Sequence, residues 1–284
     1  MILLDGKGTA ATLRMGLAVE VQNLSRQIAR TPGLAVVLVG NDPASQVYVR
    51  AKEKAALEAG LNSMVYRLEI ETSQKELEAL IDKLNADDNV DGILLQLPLP
   101  GHLDSQACLE RILPEKDVDG FHPINMGRLA LGLPGLRPCT PSGSLRLLAH
   151  YGLNPAGKKA VVVGRSNIVG KPLAMMLAAP TINATVTVCH SGTKDLGAEC
   201  READFLFLAL GKPRFIKKDM IKEGAVVIDI GINRTTSGLC GDCDFEDVKD
   251  KVSAITPVPG GIGPMTIAEL LFSTIQACKW RNQL

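Results

Sequence analysis

Short apolar runs alternate with longer amphipathic stretches along most of the chain, and this alternation restricts the fold more than any other feature. Residues 34–39 (LAVVLV), 64–70 and 92–97 (GILLQL) read as strands. Between them, residues 43–59 read as a helix with Val47, Ala51 and Ala55 on one face. Ser73, with Glu76 three residues on, forms a capping box. Leu77, Leu80, Ile81 and Leu84 then recur at helical spacing. The second half repeats the pattern, with strands at 160–163, 185–189, 205–210 and 226–230 and a helix near 171–179. A last helix is expected to start near Thr266, capped with the help of Glu269 and lined by Ile267, Leu270, Leu271, Thr274 and Cys278. Strands alternating with helices predict an α/β fold with parallel sheets and right-handed crossovers.

At about 100–200 residues per domain, 284 residues imply two domains. Residues 113–141 are rich in Pro and Gly and read as connecting structure, which places the junction there. The expected division is a first domain over 1–139 and a second over 140–264. The terminal helix, 265–284, follows a Gly/Pro break and is expected to pack back on the first domain.

Lys plus Arg and Asp plus Glu both number 31, so net charge supplies no case for a nucleic-acid or membrane partner. The longest uncharged run, 172–193, is broken by Pro180 and Asn183 and cannot form one apolar helix. Asp5 and Lys7 fall where a signal peptide needs its apolar stretch, so a cytoplasmic location is expected. Seven scattered cysteines suit reduced thiols better than a disulfide framework. Cys240 and Cys243 form a C-x-x-C spacing with no second pair, so no metal site is expected and both read as incidental thiols.

The strand at 160–163 runs straight into GRSNIVG, Gly164 to Gly170, and then a helix. Strand, glycine turn and helix form the setting in which backbone N–H groups bind a pyrophosphate. The outer glycines are six apart and Ser166 replaces a middle glycine, so the match to G-x-G-x-x-G is incomplete and an ordinary βα turn stays open. No acidic residue occurs between Gly164 and Asp195, where an NAD site would place a carboxylate for the ribose. The next strand ends Cys189-His190-Ser191, and Arg165 lies in the turn. An Arg fork and a hydroxyl suit a 2′-phosphate, which favours NADP. A solvated turn residue is the ordinary reading of Arg165.

Tyr48 and Lys52 share a face of the 43–59 helix. Gln96 falls at a strand's C-terminal end, where open α/β sheets bind ligands. Asp117 and Asp119 lie in KDVDG. Surface decoration, a strand-end cap and a turn are the ordinary alternatives for these residues. The loop TPVPGGIGPMT (256–266) offers Gly260, Gly261 and Gly263 where a ligand could approach the backbone, or a linker could run.

Together YVRAK (48–52), LLQLPLPGHLD (94–104), KDVDGFHPINMGRL (116–129), CTPSG (139–143), VVGRSNIVGKPL (162–173) and PGGIGPMT (259–266) resemble the bifunctional methylenetetrahydrofolate dehydrogenase/methenyltetrahydrofolate cyclohydrolase family. They occur in family order and span nearly the whole chain. The resemblance implies a folate-binding catalytic first domain, a Rossmann-like NADP-binding second domain, an active-site cleft between them, and a homodimer. It implies that Lys52 is the central catalytic residue, with Tyr48, Gln96 and Asp119 beside it. Leu97, Pro98, Pro259, Gly260 and Gly261 would complete the folate site. NADP would be held by Thr140, Gly164, Arg165, Ser166, Ile168, Gly170, His190, Ser191, Ile232, Gly263 and Thr266. One departure is Cys243, where the family more often carries an apolar residue.

The implied chemistry suits these residue types. Hydride loss from 5,10-methylenetetrahydrofolate needs positioning more than a base, because nitrogen lone pairs stabilise the cation. Hydrolysis to 10-formyltetrahydrofolate needs proton transfers. A lysine serves as base near neutrality only when desolvation or a nearby cation lowers its pKa, and Gln96 is a neutral partner that does not oppose this. The alternatives are a monofunctional methylenetetrahydrofolate dehydrogenase, another two-domain NADP dehydrogenase of shikimate or amino-acid type, and a non-enzymatic folate- or NADP-binding regulator.

Overall fold

The computed structural model describes residues 1–236 and 238–284. The strands are β1 (Ile2–Leu3), β2 (Gly33–Val39), β3 (Asn62–Leu68), β4 (Gly92–Leu95), β5 (Lys159–Val163), β6 (Thr185–Cys189), β7 (Phe205–Leu208), β8 (Val226–Asp229), β9 (Asn233–Thr235), β10 (Gly238–Cys240) and β11 (Ala254–Ile255). The helices of the first half are α1 (Gly6–Ile28), α2 (Pro43–Glu58), α3 (Gln74–Ala86), α4 (Ser105–Arg111) and α5 (Pro123–Ala130). Those of the second half are α6 (Cys139–His150), α7 (Gly170–Ala178), α8 (Leu196–Arg201), α9 (Phe245–Val248) and α10 (Ile262–Arg281).

Two compact units result, and each contains a parallel sheet. One unit comprises Ala11–Cys139 and Ile267–Leu284. Its sheet runs β3-β2-β4, all parallel. Central β2 is apolar throughout because both faces are covered. Leu34, Val36 and Leu38 pack on Leu17, Val21 and Leu24 of α1, Val49 of α2, and Leu270, Leu271 and Ile275 of α10. Ala35, Val37 and Val39 face the other way, onto Leu77, Ile81 and Leu84 of α3. Ser73 and Glu76 form the expected capping box at the start of α3.

A buried charge cluster closes this unit. Both carboxylate oxygens of Asp91 accept from Arg30, at 2.6 and 2.7 Å, and Oδ1 also accepts from Arg281 at 2.9 Å. The Gly33 amide donates to Oδ2 at 2.9 Å. Asp91 therefore ties the residues after α1, the first residue of β2, the start of β4 and the end of α10.

The other unit comprises Met1–Ala10 and Thr140–Thr266. Its six strands run β1-β11-β8-β7-β5-β6, all parallel. Val161, Val163, Leu206, Leu208, Val227 and Ile255 build one core face. The antiparallel pair β9-β10 stands outside this sheet.

Several local expectations change. Residues 1–10 belong with the six-stranded sheet rather than with 11–139, because Ile2 and Leu3 pair with Ala254 and Ile255. Residues 113–141 hold α5 and the start of α6. Pro123 occupies the first helical turn, where no N–H is needed, and His122 Nδ1 accepts from the Ile124 amide. The last helix begins at Ile262, so Thr266 lies inside it and donates to the Ile262 carbonyl instead of capping. Pro264 is tolerated there because it falls in the first turn. On α2, Val47 and Ala51 face solvent, and Ser45, Val49, Lys52, Ala55 and Ala56 are buried.

Candidate active site

The Asp42 side chain caps α2 by accepting from the Ser45 amide at 2.7 Å, and Pro43 opens the helix. One turn on lies half-buried Tyr48, and one further turn on lies Lys52, only 7% exposed. Burial raises the Tyr48 phenol above its ordinary pKa, which keeps it a neutral hydrogen-bonding group.

The sheet delivers the partner of Lys52. The Gln96 amide, just past β4, donates to the Val37 carbonyl at 2.9 Å. Its Nε2 donates to the Leu97 carbonyl at 2.7 Å, which turns Oε1 toward Lys52. Lys52 Nζ donates to that Oε1 at 3.0 Å. Leu97 and Pro98 follow directly, joined by a cis peptide.

KDVDG presents the acid. Lys116 is buried and donates to the carbonyls of Leu84, Asn85 and Asp87 at 2.7–3.0 Å, satisfying the end of α3. Asp117 accepts from the Phe121 and His122 amides and from Asn125. With both flanks pinned, Asp119 is left for the site. Burial raises its carboxyl above the ordinary range, against the opposing pull of the Lys52 ammonium and the Cys139 thiol. Cys139 Sγ donates to the Val118 carbonyl at 3.2 Å. Burial holds that thiol far up, with the Asp119 charge adding to it, so it stays protonated at neutral pH. Cys139 lies in a recognised motif, but sequence reasoning gave it no role, because its proximity to Asp119 is tertiary.

Tyr48, Lys52, Gln96, Leu97, Pro98 and Asp119 thus belong to one unit. Pro259, Gly260 and Gly261 belong to the other, with the expected cofactor residues. There β5 leads into the glycine turn. Gly164 has φ +133°, and a Cβ on it would lie 2.4 Å from the Ala209 carbonyl oxygen. A Cβ on Gly170 would lie 2.1 Å from the Gly164 carbonyl oxygen. Only glycines allow this close winding, which brings the chain to the start of α7. Ser166 Oγ accepts from the Val169 amide at 3.1 Å.

Arg165, Ser166, Ile168 and Ser191 are exposed. His190 Nδ1 accepts from the Gly192 amide, and the His190 amide donates to Thr193, which shapes the turn after β6. Thr140 and Thr266 hydroxyls meet at 3.0 Å. A Cβ on Gly263 would lie 3.6 Å from Ile232 Cδ1, so those two also adjoin. The turn therefore fits a nucleotide: its glycines leave room at a helix N-terminus, and the Arg165 and Ser191 side chains lie open to a phosphate.

Two buried acids unread from the sequence lie at the same end of this sheet. Asp229 accepts from the amides of Gly231, Asp242 and Cys243. Burial raises its pKa to about 7, with those amides opposing and Asp242 contributing. A raised folded pKa means that Asp229 adds stability at low pH that is lost as pH rises toward 7. The fall in thermal midpoint from pH 5 to 8 should accordingly be steeper in wild type than in Asp229→Asn. Cys240 and Cys243 are buried free thiols, and burial together with Asp229 raises that of Cys243 far above the usual range.

Residues 4–119 match the catalytic domain of tetrahydrofolate dehydrogenase/cyclohydrolase, and residues 138–282 match its NAD(P)-binding domain. The chain belongs to this family. The bifunctional protein FolD of Nitratidesulfovibrio vulgaris (strain DP4) is 66% identical over 283 residues, 99% of each chain. The structure of the bifunctional enzyme FolD from Campylobacter jejuni superposes with a TM-score of 0.96 at 52% identity over 99% of each chain. That of Trypanosoma brucei FolD, complexed with NADP cofactor and inhibitor, gives 0.95 at 37% identity over 100% of this chain and 99% of the other. Thermus thermophilus shikimate 5-dehydrogenase reaches 0.51 at 17% identity over 89% of this chain and 99% of the other, a likeness of fold alone.

Proposed function

We propose that this member of the tetrahydrofolate dehydrogenase/cyclohydrolase family catalyses two consecutive steps. In the first, 5,10-methylenetetrahydrofolate is oxidised with NADP to 5,10-methenyltetrahydrofolate. In the second, water adds to the methenyl carbon, a C–N bond opens, and 10-formyltetrahydrofolate and a proton leave. The buried Lys52–Gln96 pair at 3.0 Å carries this reading, because only the second step requires a proton-transfer group.

Folate is assigned to the unit that holds Lys52, and NADP to the unit with the six-stranded sheet. Bound there, NADP supplies the hydride acceptor. Arg165 and Ser191 would hold its 2′-phosphate, and the turn from Gly164 to Gly170 its pyrophosphate. Asp119 would hydrogen-bond the pterin, with Pro259, Gly260 and Gly261 along the folate. Lys52 would relay protons to and from the attacking water, oriented by Gln96, and Tyr48 would add a neutral hydroxyl. The chain would act in the cytoplasm as a homodimer. Among the described residues no helix is long and apolar enough to cross a membrane. The shikimate-type alternative is not favoured, since that likeness stops at the fold.

Two absorbance assays test the proposal. Purified protein given 5,10-methylenetetrahydrofolate and NADP should reduce the nucleotide, and given methenyltetrahydrofolate alone should speed loss of the methenyl chromophore. Reduction without that loss would leave a monofunctional dehydrogenase, and silence in both assays would overturn the reading. Arg165→Ala should raise the KM for NADP roughly 10–100-fold, the value of a charge-assisted phosphate contact, and leave that for NAD nearly unchanged.

A further inference from the structure

Asp242 is fully buried, and no cation pairs with it or with Asp229 among the described residues. Its carboxylate is held instead by N–H donors. Oδ2 accepts from the Leu210 and Gly211 amides at 2.6 and 3.1 Å. Oδ1 accepts from the Lys212 amide at 2.8 Å and from Asn233 Nδ2 at 2.9 Å. Three consecutive amides thus wrap one side chain just past β7, and the Asn233 contact adds the segment after β8.

Asp229 extends the knot. It accepts from the Asp242 amide at 3.0 Å and the Gly231 amide at 3.1 Å. Its own amide donates to Thr256 Oγ1 at 2.8 Å, which ties in the loop after β11. The glycines show how closely this is built. A Cβ on Gly231 would lie 2.2 Å from Asp242 Cγ, and one on Gly241 would lie 1.9 Å from Asp229 Oδ2.

The three loops joined here leave the C-terminal ends of β7, β8 and β11, the edge at which parallel sheets bind ligands. One of them carries Ile232, and another runs on to Gly263, both expected cofactor residues. The β7 loop begins at Ala209, the residue against which Gly164 packs. We infer that Asp242 is a positioning residue for the nucleotide site: it holds the loops after β7 and β8 in the arrangement that NADP requires. The inference rests on the assignment of NADP to this unit.

The cyclohydrolase step uses no nucleotide, so the two activities separate positioning from folding. Asp242→Asn keeps the shape but replaces one acceptor oxygen by an N–H donor facing amides. It should raise the KM for NADP by at least about tenfold, as misplacement at a binding site does. Cyclohydrolase turnover with methenyltetrahydrofolate should stay within about twofold of wild type. Equal loss of both activities, or an unchanged KM for NADP, would overturn the inference. If the variant fails to fold by circular dichroism, Asn233→Ala, which removes a single contact to Asp242, is measured in its place. The same selective rise in KM supports the inference, and its absence overturns it. Wild-type protein inactive in both assays would instead refute the proposed function.

Discussion

Lys52→Met is expected to lower cyclohydrolase turnover by at least about 10²-fold, the low end of what a positioned proton-transfer group contributes. Methionine nearly matches the length of lysine and suits a buried site, so the side-chain volume on α2 is largely kept. What disappears is the amine 3.0 Å from Gln96 Oε1. No other lysine takes part in a hydrogen bond with Gln96 or Asp119 among the described residues. NADP affinity should be unaltered, because the glycine turn belongs to the other compact unit. Stopped-flow decay of the methenyl chromophore, with NADP titrated separately, measures both quantities. A cyclohydrolase rate close to wild type would remove Lys52 from the reaction.

Asp91→Ala is expected to destabilise the fold by about 3 kcal/mol, the lower end of the range for breaking a buried ion pair. Asp91 has no solvent exposure, and its two oxygens serve Arg30, Arg281 and the Gly33 amide. Removing it leaves two guanidinium groups side by side. Arg30 and Arg281 side chains remain 23% and 17% exposed, so water recovers part of the loss, which is why the lower end applies. A domain has only about 5–15 kcal/mol to lose. Urea unfolding followed by circular dichroism gives the value, and a change below 1 kcal/mol would show that the cluster shapes the unit without stabilising it.

The α/β class and most strand positions followed from local pattern, because a strand buried on both faces must be apolar: β2 and β7 are so throughout, and β5 and β8 are apolar but for Lys159 at the start of one and Asp229 at the end of the other. The α3 start was legible for the same kind of reason, since Ser73 and Glu76 satisfy each other within one turn. The glycine turn could be read because close backbone packing excludes every other residue. Tyr48 and Lys52 stood out by their shared helix face and Gln96 by its place at a strand end, but these residues and Asp119 took roles only through the family motifs, since nothing local distinguishes a catalytic lysine from a surface one.

Tertiary structure decided the rest. It put Lys52 on the buried side of α2, where apolar spacing had pointed to Val47 and Ala51, because Gln96 arrives from just past β4 to satisfy the amine. It sent residues 1–10 to the six-stranded sheet, since two residues carry too little pattern to announce the edge strand that pairs with β11. It also gathered Asp91 with two arginines, and Asp242 with the loops after β7 and β8, from positions as much as 190 residues apart. Hydrogen-bond partners of a buried charge are chosen by the folded backbone, and no periodicity in the chain encodes them.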